Sequence, residues 1–497
     1  MNLPPVVCRL PFVLLLLLLT TASRSFAADP LYDLSSIRDT ESLELKVIQD
    51  WRPSPKHPTV QEKLIEITVC QWWPGQKVRL PVTLLAPADG LPCRNVVVTN
   101  QGLAVTMGRP TATHLKLIQD DGVGVVLIGM GTIDAMQPKG ELHHAMRQKL
   151  LETKDVRYTP VWIWGASQMR ALTAAMTEPK FFQPEKVLAT GGSKRGVASA
   201  VAGIVDDRFT AIVPIVAPML GNPGSATFVN GNEPRELVEI DKQFYADLAA
   251  GKLTIDPAAE KPLRERAVRR ATQRISLQQA IDAGWTESDI DTITDRVWDI
   301  SRITNHMSLV KERGLDVFYN VGTNDSVSPS LLELGNQYPD FPVCIIAGGQ
   351  HGGPTGAGFD RQVPKLPEID QNFYSFTRHH FFGHRSFPSP PKIDGQWDPK
   401  TQTLSVTVSM ADDRKPQQNE VWWCIDRSKP HTLPFEYDRW ESATLDQVVG
   451  GGYRASIPFQ GTPKRIDFLS LHVDAENDLP IKFSSPYQRV LPQTSGK

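Results

Sequence analysis

The chain has 497 residues, 40% of them hydrophobic, and its 53 basic and 55 acidic side chains leave a formal charge of −2. That length holds one large domain and a small one, and the near-neutral balance argues against the basic face on which nucleic-acid binding depends. With a mean hydropathy of −0.26 and no membrane-spanning apolar segment after the N-terminus, the chain reads as a soluble globular protein.

The first residues carry Arg9, then Phe12-Val13-Leu14 running into leucines up to Leu19, then Ser25-Phe26-Ala27. A basic start, a short apolar core and small residues before a cleavage point describe a secretory signal peptide over residues 1–27, which implies a secreted or periplasmic protein. Cys8 precedes the apolar core, so a lipoprotein anchor is not expected. Removal of Arg9 and Arg24 with this leader takes the charge from −2 to −4.

After a Pro-containing leader at Trp51 to His57, Leu64 to Trp73 and Lys77 to Leu85 alternate apolar and polar residues, as half-buried antiparallel strands do. Nearly continuous apolar runs follow at Asn95 to Thr99, Val123 to Ile128, Lys186 to Thr190, Ala211 to Val216, Asp316 to Val321 and Val343 to Ala347. Such runs suit strands buried on both faces, and helical patterns such as Trp162 to Met176 lie between most of them. The alternation predicts a doubly wound, mostly parallel α/β sheet over residues 28–385, with its site at the carboxyl ends of the strands.

Gly191-Gly192-Ser193-Lys194-Arg195-Gly196 joins one of these strands to the small-residue helix pattern Val197 to Gly203. A serine on a sharp strand-to-helix turn has its Oγ lifted off the sheet edge, with the N–H groups of the helix start directed at developing negative charge. The usual pattern is G-x-S-x-G, whereas here Arg195 takes the place of the second glycine and the glycine is displaced to Gly196. Two cations on a helix's first turn oppose the dipole. Lys194 and Arg195 therefore either serve an acidic substrate group or an oxyanion, or form salt bridges to an acid such as Asp206 or Asp207.

Strand signals vanish between Gly221 and Ile300, where Ser276-Leu277-Gln278-Gln279 and Thr286-Glu287-Ser288-Asp289 read as capping boxes of a helical insertion, expected to form a lid over the site. Next come Gly322-Thr323-Asn324-Asp325-Ser326 and Gly348-Gly349-Gln350-His351-Gly352, each just beyond a core strand. A serine hydroxyl needs a base within reach, and the base needs an orienting carboxylate, in the chain order serine, acid, histidine. Ser193, Asp325 and His351 meet that order, whereas Asp316 begins its strand at the wrong end. His143, His144, His306, His379, His380 and His384 lie on or beside helices and compete poorly. Two N–H donors complete an oxyanion hole: that of Lys194, and that of Gly102 or Leu103 in the loop after Asn95 to Thr99.

From Pro388 the texture changes to alternating stretches at Thr403 to Ser409, Glu420 to Ile425, Tyr453 to Ile457 and Ile466 to His472, which predict a β-sandwich-like module over residues 388–497. Ile369 to Phe382 reads as the helix closing the first domain. Cys70, Cys93, Cys344 and Cys424 remain outside the leader; a Cys70–Cys93 disulfide or four buried thiols both fit, and the spacing does not suggest a zinc site. Trp162, Trp164, Trp285 and Trp298 either line a sugar or aromatic site or fill the core.

Thr190-Gly191-Gly192-Ser193-Lys194-Arg195-Gly196 resembles the Thr-Gly-Ala-Ser-Lys-Arg-Gly elbow of the PhoPQ-activated pathogenicity-related family, secreted α/β-hydrolase-like proteins, departing only at Gly192. Asp207-Arg208-Phe209-Thr210-Ala211-Ile212-Val213-Pro214 is similar to that family too. A second resemblance is to glucuronoyl esterases, whose Gly-Cys-Ser-Arg-x-Gly-Lys elbow also has its glycine three residues after the serine, and whose upstream tryptophan-glycine segment is similar to Trp162-Ile163-Trp164-Gly165-Ala166-Ser167. Lys194 stands where those enzymes carry arginine, and Val197 replaces their lysine. Residues and resemblances together imply a serine esterase without metal or organic cofactor, acting on a small-molecule or glycan ester. A serine peptidase of the same fold and a non-catalytic hydrolase-like binding protein are the alternatives.

Overall fold

In the computed structural model the described residues are 31–100, 107–130, 141–219, 250, 277–325, 331–349, 370–384, 387–427, 439–476 and 479–492. The signal-peptide reading, most of the predicted lid, Gly102, Leu103 and His351 lie outside them.

Ten strands build the larger sheet: β1 (Lys46–Pro53), β2 (Val60–Trp73), β3 (Gln76–Pro87), β4 (Cys93–Asn100), β5 (Gly124–Ile128), β6 (Phe182–Gly192), β7 (Ala211–Ile215), β8 (Asp316–Val317), β9 (Tyr319–Gly322) and β10 (Val343–Ile346). They lie in the order β1-β2-β3-β5-β4-β6-β7-β9-β10, with β8 against β7. The pairs from β1 through β3 to β5 are antiparallel. Those from β5 through β4, β6, β7 and β9 to β10 are parallel. Burial follows: every residue of β5 is buried, whereas β1, the edge strand, has no buried residue. That edge strand runs into the start of the segment expected to be a Pro-containing leader, Trp51 to His57, and the sequence does not announce it because its residues carry no apolar alternation. The run Asp316 to Val321 is likewise two short strands, interrupted at Phe318.

The described helices are α1 (Leu34–Arg38), α2 (Ala112–Asp121), α3 (Glu141–Thr153), α4 (Pro160–Met176), α5 (Lys194–Val205), α6 (Leu277–Asp282), α7 (Glu287–Asp299), α8 (Met307–Arg313), α9 (Leu331–Gln337) and α10 (Gln371–Phe382). In α4, Pro160 occupies the first turn and the Thr159 hydroxyl accepts from Trp162 N–H, a helix start with its orphan donor satisfied. On α5 the small residues let the helix lie close to the sheet: a Cβ on Gly203 would come within 2.4 Å of the Ile212 side chain. Ahead of α7, Thr286 and Asp289 exchange backbone N–H bonds with each other's side chains at 2.8 and 3.1 Å, the expected capping box. His379 and His380 sit in the last turn of α10. No helix among the described residues is long and apolar enough to cross a membrane.

The C-terminal region is antiparallel: β11 (Lys392–Asp398), β12 (Thr403–Ser409), β13 (Gln418–Ile425), β14 (Glu441–Thr444), β15 (Asp446–Gln447), β16 (Tyr453–Pro458), β17 (Ile466–Glu476), β18 (Leu479–Ser484) and β19 (Gln488–Val490). One sheet runs β11-β12-β16-β15 and the other β14-β13-β17-β18, with β19 on β17. A single apolar cluster joins Leu404, Val406 and Ile457 of the first sheet to Val421, Ile466 and Phe468 of the second. Along β16 buried and exposed residues alternate strictly, as a strand with one face on a core requires. This region also meets the end of the larger sheet. Ile345 N–H in β10 donates to Ser484 Oγ at 2.9 Å, and Asn372 in α10 bonds both backbone groups of Lys482.

All four described cysteines are free, so no Cys70–Cys93 disulfide forms. Burial pushes the thiols of Cys70, Cys93 and Cys344 up to about 12, which leaves them inert.

Candidate active site

Ser193 links β6 to α5 with φ 58° and ψ −126°, a backbone conformation that a side-chain-bearing residue adopts only when its surroundings impose it. The surroundings are visible. Ser193 N–H donates to Ile215 O at the end of β7, and Ser193 O accepts from Val197 N–H. A Cβ on Gly196 would come within 2.7 Å of Ala217 Cβ, and one on Gly191 within 2.7 Å of both Arg195 Cβ and Asn100 Oδ1. The displaced glycine therefore has a steric reason: at position 196, not 195, the helix start presses on the chain leaving β7. Gly192, the one departure from the resembled heptapeptide, has open space where a Cβ would stand.

Helix α4 braces the turn from behind. Gln168 Nε2 donates to Thr190 O at 3.2 Å and to Ser199 Oγ at 3.3 Å, while Ser199 Oγ donates to Arg195 O at 2.8 Å. Lys194 and Arg195 are half-buried beside Ser193. Burial, with the neighbouring Arg195 charge, brings the Lys194 ammonium down to about 8. The expected alternative, a salt bridge to Asp206 or Asp207, is not formed. Those acids follow the other end of α5, about 18 Å away for twelve residues at 1.5 Å each. There Asp206 is held by Arg208 at 2.6 Å and Arg38 at 2.7 Å, and Arg38 also holds Asp207.

Asp325 lies at the carboxyl end of β9 and is fully buried. Its turn is bonded to the chain leaving β10: Thr323 N–H donates to Ile346 O, Asn324 N–H to Gly349 O at 2.8 Å, and Gly348 N–H to Thr323 Oγ1 at 2.8 Å. A Cβ on Gly322 would come within 2.1 Å of Gly349 O, so the two turns are in backbone contact. Two residues after Gly349 stands His351, outside the described residues. The fold thus brings Ser193, Lys194, Arg195 and Asp325 to one edge of the sheet, with β7 between the strands that carry Ser193 and Asp325.

Asp316 is at the opposite edge, as its place at a strand start implies. Its Oδ2 lies 2.5 Å from His380 Nδ1, whose Nε2 lies 2.8 Å from Thr210 Oγ1. This acid, histidine and hydroxyl form a structural chain: the Thr210 hydroxyl is already bonded to both backbone groups of Val187. Trp164 and Trp285 are buried, and Trp285 Nε1 donates to Leu151 O at 2.9 Å, the core-packing use of these residues. No group of three His, Cys, Asp or Glu among the described residues could hold a metal ion.

Sequence reasoning missed the side chain of Asn100, whose Oδ1 is buried against the Ser193 turn with no hydrogen-bond partner among the described residues. It also missed Thr323 as the link between the two turns. Both stand in loops singled out for a backbone group or a carboxylate, and only the fold shows what their side chains touch.

Residues 148–225 match the PhoPQ-activated pathogenicity-related protein family. The match takes in α4, β6, the Ser193 turn and β7. No curated protein matches the chain. Among solved structures it is similar to an acetyl xylan esterase from Paenibacillus sp. R4, at 13% identity over 71% of this chain and 95% of that one, with a TM-score of 0.41. It is also similar to a promiscuous CE15 esterase from a marine bacterial metagenome, at 15% identity over 35% and 52% of the two chains, TM-score 0.27. A CE15 glucuronoyl esterase from Teredinibacter turnerae T7901 shows 16% identity over 36% and 46%, TM-score 0.25. The chain spans about half the length of these two CE15 structures.

Proposed function

We propose that the chain is a secreted serine hydrolase of the α/β-hydrolase fold that cleaves a carboxylic ester, carbohydrate-linked, through an acyl-enzyme. The observation that carries this reading is the strained backbone of Ser193 at φ 58°, between a parallel strand and a helix start. A strained serine is retained where its exposure is used. The carbohydrate-linked ester rests on the resemblance of this elbow to that of glucuronoyl esterases, and a serine peptidase of the same fold is the alternative.

In this mechanism Ser193 Oγ attacks the ester carbonyl carbon while its proton passes to His351, which Asp325 orients. The tetrahedral oxyanion is held by the N–H of Lys194 and that of Gly102 or Leu103, with the Lys194 ammonium and Arg195 adding positive field. Collapse expels the alcohol with the proton from His351, and water repeats the cycle on the acyl-enzyme. Residues 28–385 form the catalytic domain, residues 221–300 its lid, residues 388–497 a β module, and residues 1–27 the cleaved leader.

The test is turnover of p-nitrophenyl acetate and of methyl glucuronate and acetylated sugar esters, beside peptide amides. Ester cleavage that Ser193→Ala and His351→Ala each reduce by about 10⁴-fold or more is the expected result. Cleavage of amides in preference to esters favours the peptidase. No turnover by folded protein favours a binding protein.

A further inference from the structure

Asp325 ends a turn of three residues, and two of its backbone or side-chain acceptors are gripped from the C-terminal β region. Arg427 follows β13 and is 4% exposed. Its Nη2 donates to Thr323 O and its Nη1 to Tyr487 Oη at 2.7 Å, and its guanidinium lies over the rings of Trp440 and Tyr487 at 5.8 and 5.7 Å. Trp440, also buried, donates from Nε1 to Asn324 Oδ1 at 3.2 Å. Thus Thr323 and Asn324 are each tied on one side to β10 and the chain beyond it, through Ile346, Gly348 and Gly349, and on the other to a side chain more than 100 residues away.

We propose that Arg427 and Trp440 are positioning residues, which fix the Asp325 turn and, through its bonds to Gly348 and Gly349, the start of the loop that carries His351. The physical case is that β10 and the chain beyond it hold the turn from one side, and Arg427 and Trp440 hold it from the other. A three-residue turn does not by itself fix a carboxylate to the fraction of an ångström that base orientation requires. Buried N–H donors on a carbonyl and an amide, held in turn by ring packing, supply that fixation. The guanidinium is well suited because its planar fork reaches Thr323 O and Tyr487 Oη together, with the rings of Trp440 and Tyr487 packed beside it. On this reading the C-terminal β region is a working part of the active site. Residues 388–497 are not an appended binding module alone.

The inference rests on the serine-hydrolase reading, and the experiment separates the two. The full chain and its variants Trp440→Phe, Arg427→Ala and Arg427→Lys are compared for the rate of fluorophosphonate labelling, for kcat and KM on p-nitrophenyl acetate, and for the pH profile of kcat/KM. Trp440→Phe keeps an aromatic ring at the site while it removes the N–H donor and part of the indole, and thermal unfolding of each variant checks that it is folded. The expected result is a fall in kcat of about 10-fold for Trp440→Phe and about 100-fold for Arg427→Ala, with KM within about twofold and a displaced ascending limb of the pH profile. Arg427→Lys restores part of the loss. Ser193-dependent labelling of the wild-type chain, together with wild-type kcat and pH profile in folded Trp440→Phe and Arg427→Ala, overturns the positioning role and leaves the hydrolase reading standing. No labelling of the folded wild-type chain overturns both.

Discussion

The turns that carry Ser193 and Asp325 leave the same edge of one sheet, with β7 between their strands, yet they are built by different means. The Ser193 turn carries its steric requirements in its own glycines. Gly191 and Gly196 are glycines because a Cβ at either would strike a neighbour at 2.7 Å, and the helix that follows starts at once. Asp325 is set from a distance, by β10 and the chain that follows it on one side and by Arg427 and Trp440 on the other. A nucleophile needs a strained exposed backbone, which a short motif can encode. An orienting acid needs burial and a fixed frame, which only the assembled fold supplies.

The sharpest way to break this comparison is to put a methyl group where the two turns meet. Gly322→Ala places a Cβ against Gly349 O at 2.1 Å, a backbone atom that cannot swing aside, and is expected to lower ester kcat/KM by about 100-fold. Gly192→Ala, which meets no atom within 4 Å, is the matched control within the Ser193 turn and is expected to leave turnover within about twofold. Equal effects of the two would mean that contact between the turns is irrelevant to activity.

A smaller effect concerns charge beside Ser193. Lys194 has its ordinary value of 10.5 lowered to about 8, first by burial and then by Arg195. Its ammonium is present below that pH and lost above it, so kcat/KM is expected to fall by about 3-fold as pH rises through about 8, and Lys194→Arg to flatten that limb. Stability moves the other way. Between about 8 and 10.5 the unfolded chain binds more protons at this site than the folded one, so Lys194 makes the fold more stable as pH rises through that window. A descending activity limb that survives in Lys194→Arg would remove Lys194 as its cause.

The same contrast explains what was legible beforehand. Val96 to Val98 and Val125 to Ile128 are buried on both faces, and their continuous apolar runs announced a parallel sheet. The Ser193 motif announced its turn because the glycines that the close approaches require stand within three residues of the serine, although the groups they approach, Asn100 and Ala217, are distant. β1 was invisible because an exposed edge strand needs no alternation. Arg427 and Trp440 were invisible because neither lies near Asp325 along the chain, and nothing in Trp440's own neighbourhood distinguishes an indole that bonds to the Asp325 turn from one that fills a core. Lys194 and Arg195 stood out as misplaced cations, but the salt bridge offered for them ignored the length of α5.

The most direct measurement is peptide mapping by mass spectrometry of the folded chain after reaction with a fluorophosphonate. A single phosphonyl group on Ser193, absent in His351→Ala over the same interval, is the result expected of a serine activated by a distant histidine. A label on another residue, or undiminished labelling of Ser193 in His351→Ala, would contradict it.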